Sequence, residues 1–196
     1  MASDPNIVTI VSGLPRSGTS MMMRMVDAGG VTALTDNIRR ADEDNPRGYF
    51  EYEPVKKTKE DPSWLTHAGG RVVKMVYRLL YDLPPGREYR VIFMRRHLTE
   101  VVSSQDVMLN RRGRQSGALS KEKLVGLFEQ QLTEFDAWVS RHPNFKVLYV
   151  SYNDTLENPA ATVQAVNTFL GGRLDTVAMS RVVEPDLYRQ RSGGGE

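Results

Sequence analysis

The stretch IVTIVSGLPRSGTS, residues 7–20, carries the strongest signal for the fold class. Its apolar first half is typical of a buried strand. It leads into a loop whose Gly13 and Gly18 have the spacing of the phosphate-binding motif G-x-x-x-x-G-K-[ST]. Thr19 replaces the lysine of that motif, and the nearest cation is Arg16, inside the loop. A strand, a glycine loop and a helix together direct backbone N–H groups and a helix dipole at one point. The stretch therefore predicts an anion site, with an ordinary strand–turn–helix joint as the alternative.

Four short apolar runs predict buried strands, because they are rich in β-branched or aromatic residues and too short for helices. They are Ile7–Val11, Arg71–Val76, Tyr89–Met94 and Phe145–Val150. Helical periodicity lies between and after them, in runs that begin near Leu98, Leu124 and Val163. This alternation predicts an α/β fold with a P-loop-type, mostly parallel sheet flanked by helices, and ligands at the carboxyl ends of the strands. We expect a single domain over residues 1–190 and a flexible tail over 191–196.

The composition excludes several classes of function. The chain has no cysteine, which excludes disulfides, thiol catalysis and thiolate metal sites. Its 26 basic and 24 acidic side chains nearly balance, so the bulk charge requires neither a nucleic acid nor an anionic membrane as partner. The amino-terminal apolar stretch is too short for a signal peptide or a transmembrane span, which predicts a cytoplasmic protein. The expected assemblies of the protein include a homodimer.

The predicted strand ends carry cations rather than acids. Arg95 and Arg96 directly follow the third strand, and Lys74 lies within the second. A nucleoside-triphosphate enzyme would instead place an acidic residue at a strand end to help hold Mg²⁺. We therefore expect no metal site, and a protein that itself neutralises a nucleotide with an additional phosphate.

Three stretches, in order along the chain, resemble signatures of sulfotransferases. Residues 11–25 (VSGLPRSGTSMMMRM) resemble the 5′-phosphosulfate loop in the Pro-Arg-Ser-Gly-Thr form of tyrosylprotein sulfotransferases and many bacterial relatives. Residues 90–105 (RVIFMRRHLTEVVSSQ) are similar to the 3′-phosphate strand–loop–helix, and residues 151–171 (SYNDTLENPAATVQAVNTFLG) to a stretch near the family's carboxyl terminus. The resemblance implies the donor 3′-phosphoadenosine 5′-phosphosulfate (PAPS) and its product 3′-phosphoadenosine 5′-phosphate (PAP). It also implies transfer of the sulfuryl group to an acceptor hydroxyl or amine.

The resemblance implies roles for individual residues in donor binding. Arg16 is the cation expected at the bridging oxygen of the leaving phosphate. Arg96 and Ser104, eight positions apart, have the spacing of the family's 3′-phosphate ligands, while strand alternation makes Arg95 a surface ion-pair partner. Tyr152 corresponds to a tyrosine near the adenine, with a purely structural buried tyrosine as the alternative. The expected 5′-phosphate ligands are Pro15, Arg16, Ser17, Gly18, Thr19 and Ser20, and Ser20 has helix capping as a second role.

The general base is the least determined part of the predicted site. The Lys-x-His of cytosolic sulfotransferases is replaced by Lys74-Met75-Val76, so Lys74 is expected to contact the sulfuryl group and replaces the missing base only if its pKa is strongly lowered. Asp36 lies about twenty residues after Arg16, close to the place of the glutamate base in tyrosylprotein sulfotransferases. Glu51 is the second candidate. A salt bridge to a neighbouring arginine is the alternative role of either carboxylate.

Two further segments and two histidines have possible functional roles. The segment Thr35–Glu53 is charged and aromatic, and we expect an ordered loop that covers the pocket of a small-molecule acceptor. The basic segment Asn110–Gly117 lacks interleaved aromatics, which favours a solvated loop over a nucleic-acid patch. His67 and His97 are weaker candidates for the base.

Two rival functions stay open at this point. One is a divergent P-loop small-molecule kinase or other nucleoside-triphosphate enzyme. The other is a nucleotide-binding module without catalysis, which the missing histidine would suit. The Arg-Lys-Gly phosphate clamp near the family's carboxyl terminus has only a faint counterpart in Arg191-Ser192-Gly193.

Overall fold

Four parallel strands form the sheet. The computed structural model describes residues 6–36, 38–39, 41–42, 45, 48–111, 113 and 119–183. The strands are β1 (Ile7–Gly13), β2 (Val72–Lys74), β3 (Glu88–Arg95) and β4 (Phe145–Ser151). Their order is β2-β1-β3-β4, and every neighbouring pair is parallel. The predicted α/β class is confirmed, and each of the four predicted strands is present.

Helices cover both faces of this sheet. They are α1 (Thr19–Ala28), α2 (Leu98–Arg111), α3 (Lys121–Val139), α4 (Tyr152–Glu157), α5 (Pro159–Phe169) and α6 (Thr176–Ser180), with 3₁₀ turns at Glu53–Lys57, Ser63–His67 and Tyr77–Asp82. In β1, Val8 and Ile10 pack into one hydrophobic cluster and Val11 into another. The strands read as continuous apolar runs because both of their faces are buried. Across the described ranges, none of the helices has the length and apolar character that a membrane crossing requires.

The strand order places the site at one edge of the sheet. Because β1 lies between β2 and β3, the chain first moves to one neighbour of β1 and later to the other. The register pairs Val11 with Lys74 and Gly13 with Met94, so the carboxyl ends of the three strands lie side by side. Ligands of open α/β sheets bind where the strand order reverses in this way.

Two local expectations are wrong. Helix α2 continues through Arg111, so Asn110 and Arg111 are helical and do not begin a solvated loop. Helix α1 begins at Thr19 with Gly18 as its N-cap and has no side-chain cap, so Ser20 lies inside the helix and is not its cap. Most of the remaining basic segment lies outside the described residues, as do the domain boundary at 190 and the tail 191–196.

Candidate functional site

A cavity of about 400 Å³ lies at the carboxyl ends of β1 and β2 and beside Arg96, which follows β3. This volume is within the range of small-molecule sites. Among the described residues that line it, six side chains are basic and one, Glu51, is acidic. The basic residues are Arg16, Arg24, Arg39, Lys74, Arg96 and Arg111. The excess of positive charge favours an anionic ligand.

The loop between β1 and α1 has two residues in the left-handed backbone region. Arg16 has a φ of 72° and Gly18 a φ of 94°. The left-handed conformation costs an arginine about 1 kcal/mol, so contacts around Arg16 must stabilise it. A Cβ atom on Gly18 would overlap the ring of Tyr152. Gly18 is therefore required both by its backbone conformation and by the close approach of that ring.

Ser17 closes the loop instead of facing the cavity. Its hydroxyl donates to the carbonyl of Leu14 at 2.7 Å, and its backbone N–H donates to the same oxygen at 3.2 Å. The residue is buried and is absent from the cavity lining. The Ser17 hydroxyl thus completes a tight turn, and its expected role at a 5′-phosphate stays a prediction. The other expected loop ligands all line the cavity, namely Pro15, Arg16, Gly18, Thr19 and Ser20.

Arg16 is anchored by residues that are distant in the sequence. Its Nε donates to the hydroxyl of Ser104 at 2.9 Å. Its carbonyl oxygen accepts a hydrogen bond from Nη1 of Arg96 at 3.2 Å. The structure therefore brings together the arginine expected at the 5′-phosphate and the two residues expected at the 3′-phosphate.

Arg96 lies between a buried carboxylate and an aromatic ring. Its Nε donates to Oε2 of Glu100 at 2.9 Å, and its guanidinium carbon is 4.7 Å from the ring centroid of Tyr152. Only 8% of the Arg96 side chain is exposed. Arg95 instead pairs with Asp136 at 2.6 Å, so the surface ion pair predicted for Arg95 is confirmed. Tyr152, which begins α4, lines the cavity, and burial raises the pKa of its hydroxyl.

Lys74, the last residue of β2, reaches the first turn of α1. Its Nζ donates to the carbonyl oxygen of Tyr49 and to the hydroxyl of Ser20, the latter at 3.3 Å. Burial lowers the pKa of Lys74 to about 8. The charge of Glu51 opposes this shift, while the charges of neighbouring arginines increase it. The ammonium group is therefore close to half-titrated at mildly alkaline pH.

The two candidate carboxylates lie in different environments. Glu51 lines the cavity, and its Oε1 accepts a hydrogen bond from Nη1 of Arg39 at 2.6 Å. Asp36 is absent from the lining, and its two oxygens accept the backbone N–H groups of Ile38 at 3.0 Å and Glu53 at 2.6 Å. Asp36 therefore shapes the loop backbone. The geometry favours Glu51 over Asp36 as the carboxylate that faces a ligand.

None of the described residues that line the cavity is a histidine. The side chain of His97 is 62% exposed and lies 3.4 Å from Oε1 of Glu100. His67 is exposed at the end of the 3₁₀ turn Ser63–His67, and its Nδ1 lies 3.5 Å from the hydroxyl of Thr66. No group of three or more His, Cys, Asp or Glu side chains that could hold a metal ion occurs among the residues that the structure describes.

Sequence reasoning missed four polar residues of the cavity lining: Arg24, Arg39, Asn45 and Arg111. Helical spacing gives a signal for two of them. Arg24 follows Ser20 by four residues on α1, and Arg111 follows Ser104 by seven on α2, so each pair shares a helix face. Asn45 comes from the long loop and donates to the hydroxyl of Ser20 at 2.7 Å. Irregular loops have no periodicity that would have indicated such a contact.

Comparison with protein families relates the chain to sulfotransferases. The model of the sulfotransferase family matches residues 87–176, which include Arg96, Ser104 and Tyr152 but not the loop around Arg16. No curated protein sequence matches the chain. The predicted resemblance to sulfotransferases is confirmed by this family match.

Solved structures of similar fold include several sulfotransferases. Retinol dehydratase in a complex with retinol and PAP is 18% identical, with a TM-score of 0.52 over 91% of this chain and 64% of that one. A sulfotransferase from Alicyclobacillus acidocaldarius is 17% identical, with a TM-score of 0.50 over 94% of this chain and 88% of that one. Retinol dehydratase with androsterone and the inactive cofactor PAP is 17% identical, with a TM-score of 0.46 over 91% of this chain and 63% of that one. The chain thus spans slightly less than two thirds of the retinol dehydratase chains, and at these identities the likeness concerns the fold.

Proposed function

We propose that this chain, which resembles the sulfotransferase family in sequence and in fold, is a PAPS-dependent sulfotransferase. In this proposal it moves the sulfuryl group of PAPS to a hydroxyl or amine of a small-molecule acceptor. The observation that carries the proposal is the anchoring of Arg16 by Ser104 and Arg96 in a cation-rich cavity at the strand ends. These groups suit a nucleotide that carries phosphate at both the 3′ and the 5′ position of its ribose.

Arg16 has the role of stabilising the leaving group. In-line transfer forms a bond from the acceptor atom to sulfur and breaks the bond from sulfur to the bridging oxygen of the 5′-phosphate. Negative charge grows on that oxygen, so a cation there stabilises the transition state more than the ground state. An arginine can contact two oxygens at once, and the bond to Ser104 directs the Arg16 side chain across the loop.

The first turn of α1 and the end of β2 hold the other parts of the phosphosulfate. The first N–H groups of a helix have no intrahelical acceptor, so those at Thr19 and Ser20 are available to the 5′-phosphate. Lys74, 3.3 Å from the hydroxyl of Ser20, contributes charge to the sulfuryl oxygens. At the other end of the ribose, Arg96 and Ser104 bind the 3′-phosphate.

Glu51 has the role of general base. It is the acidic side chain among the described cavity residues, and its bond to Arg39 fixes the orientation of its carboxylate. The acceptor donates its proton to Glu51 as the acceptor atom attacks sulfur. Asp36, which the distance from Arg16 along the chain favoured, is assigned to the loop backbone because both of its oxygens accept N–H groups there.

The acceptor is proposed to be a small molecule. The retinol dehydratase structure contains retinol, an alcohol, together with PAP, which supports an acceptor hydroxyl next to the donor. In this chain Tyr49 and Glu51 of the long loop line the same cavity as Arg16, so the acceptor would bind against that loop. A cytoplasmic location, a homodimer and a domain over residues 1–190 remain predictions.

Two measurements test the proposed function. In a thermal-shift assay, PAP should stabilise the protein more than ATP with Mg²⁺ at equal concentration. A larger shift with ATP and Mg²⁺ would favour a nucleoside-triphosphate enzyme. Radiolabelled PAPS is then incubated with the protein and a panel of phenols, alcohols, sugars and amines. Transfer of label to an acceptor supports the enzyme, whereas binding of PAP without transfer to any acceptor would indicate a nucleotide-binding module.

A further inference from the structure

Glu100 is a buried carboxylate that the proposed chemistry does not use. It lies in the first turn of α2 and is only 2% exposed. A buried carboxylate is costly unless it is paired and hydrogen-bonded. Here Oε2 accepts from Nε of Arg96 at 2.9 Å, and the amide of Asn153 donates to both oxygens at 3.2 Å and 3.3 Å. Glu100 is therefore fixed on one side by α4, which carries Asn153, and holds Arg96 on the other.

The contacts of Arg96 extend this chain of bonds to the phosphate loop. While Nε is bonded to Glu100, Nη1 donates to the carbonyl oxygen of Arg16 at 3.2 Å. That carbonyl belongs to the residue with a φ of 72°. The side chain of Arg16 in turn donates to Ser104, one helical turn beyond Glu100 on α2. Helix α2 thus holds Arg16 at two places, directly through Ser104 and indirectly through Glu100 and Arg96.

We infer that Glu100 is a positioning residue of the donor site, which holds Arg96 so that Arg96 faces the bound nucleotide and supports the left-handed backbone of Arg16. This inference rests on the proposed function only for the identity of the nucleotide. It assigns Arg96 two tasks, since one guanidinium binds ligand and stabilises the loop. It also explains why a carboxylate lies behind a site that must bind an anion.

Charge and positioning predict opposite effects of neutralising Glu100. If the carboxylate acted only through its charge, Glu100→Gln would remove repulsion and strengthen the binding of anions. If it positions Arg96, the same change should lower the affinity for PAP about tenfold. It should also reduce the ratio of the affinities for PAP and adenosine 5′-phosphate. Asp106→Asn is the matched control, because Asp106 lies on the same helix but pairs with Lys121 at 3.8 Å. We expect PAP affinity in this control to be unchanged or slightly increased.

The experiment combines calorimetry with an observation on the free protein. In the ¹⁵N NMR spectrum, the Nε–H signal of Arg96, assigned with Arg96→Lys, should be protected from exchange in the wild type and in Asp106→Asn. Glu100→Gln should remove that protection and lower PAP affinity. In an Arg96→Ala background, Glu100→Gln should cause no further loss. The inference would be overturned if the signal stays protected in Glu100→Gln, or if PAP affinity in that variant is unchanged or higher. It would also be overturned if Glu100→Gln lowers PAP affinity as much in the Arg96→Ala background as in the wild type.

A second variant covers the case in which Glu100→Gln does not fold. Asn153→Leu removes the amide that donates to Glu100, together with the acceptor of the His97 backbone N–H at 3.3 Å, but keeps every charge. It should weaken PAP severalfold and reduce protection of the same signal. No change in either quantity would also overturn the inference. A failure of the proposed function is distinguishable, because it would be seen as absent PAP binding in the wild type while the Arg96 signal still responds to Glu100→Gln.

Discussion

Binding of PAP, the product of the donor, should be accompanied by proton uptake at Lys74. The cavity holds this ammonium group with a pKa of about 8, lowered mainly by burial and opposed by Glu51. A bound phosphate adds negative charge, which favours the charged form and returns the pKa toward its ordinary value near 10.5. When the nucleotide binds, those Lys74 side chains that are neutral in the free protein must therefore take up a proton.

The expected uptake follows from the pKa of the free site. At pH 8 about half of the Lys74 side chains are neutral, so PAP binding should take up about 0.5 proton per site. At pH 7 the corresponding value is about 0.1, and at pH 9 about 0.9. The phosphates of PAP are almost fully ionised at pH 8 and above, since their second pKa is about 6, and contribute little to this difference.

Isothermal titration in two buffers of different ionisation enthalpy measures the uptake. Lys74→Met keeps an unbranched side chain without a charge and should abolish the uptake at pH 8 and pH 9. Lys146→Met is the matched control, because Lys146 is 56% exposed and pairs with Glu88 at 2.9 Å outside the cavity. Uptake that is equal in wild type and Lys74→Met, or proton release by the wild type, would show that Lys74 is not the group that responds to the nucleotide.

Three further predictions concern the other proposed roles. Arg16→Ala should lower turnover about 10²-fold or more while PAP still binds, because one transition-state contact is worth a few kcal/mol; near-normal turnover with labelled PAPS would exclude Arg16 from the chemistry. Arg96→Ala should weaken PAP about tenfold more than adenosine 5′-phosphate in calorimetric titrations, as expected for one lost charge-assisted contact. Equal weakening of both nucleotides would restrict Arg96 to a structural role. Glu51→Gln should lower turnover by about 10²–10⁴-fold with little change in PAP affinity, whereas Asp36→Asn should mainly lower the thermal midpoint, because an amide keeps only one of the two oxygens that accept backbone N–H groups. The reverse order of turnover losses would return the base to Asp36.

The base assignment shows the limit of measuring distance along the chain. Asp36 lies about as far from Arg16 as the resemblance to tyrosylprotein sulfotransferases implies for the base, and Glu51 lies well beyond that distance. In the folded loop the N–H of Asp36 donates to the carbonyl of Glu51 at 3.3 Å, so the two residues are neighbours. Their side chains nevertheless differ, because Asp36 binds backbone N–H groups while Glu51 contacts Arg39 in the cavity. Which side chain reaches the ligand depends on hydrogen bonds that the sequence pattern does not record.

The strands, the helices α1, α2, α3 and α5, and the glycine loop between β1 and α1 were predictable from the sequence, because each depends on residues that are close together in the chain. Burial on both faces requires continuous apolar runs, and the tight loop requires glycine at Gly18. Which groups meet in the cavity depends instead on contacts between distant parts of the chain. Arg16 and Ser104 are 88 residues apart and Lys74 and Ser20 are 54 apart, yet each pair is hydrogen-bonded. Such contacts depend on strand order and on the packing of α1 and α2 against the sheet, and these are settled by the burial of the whole core.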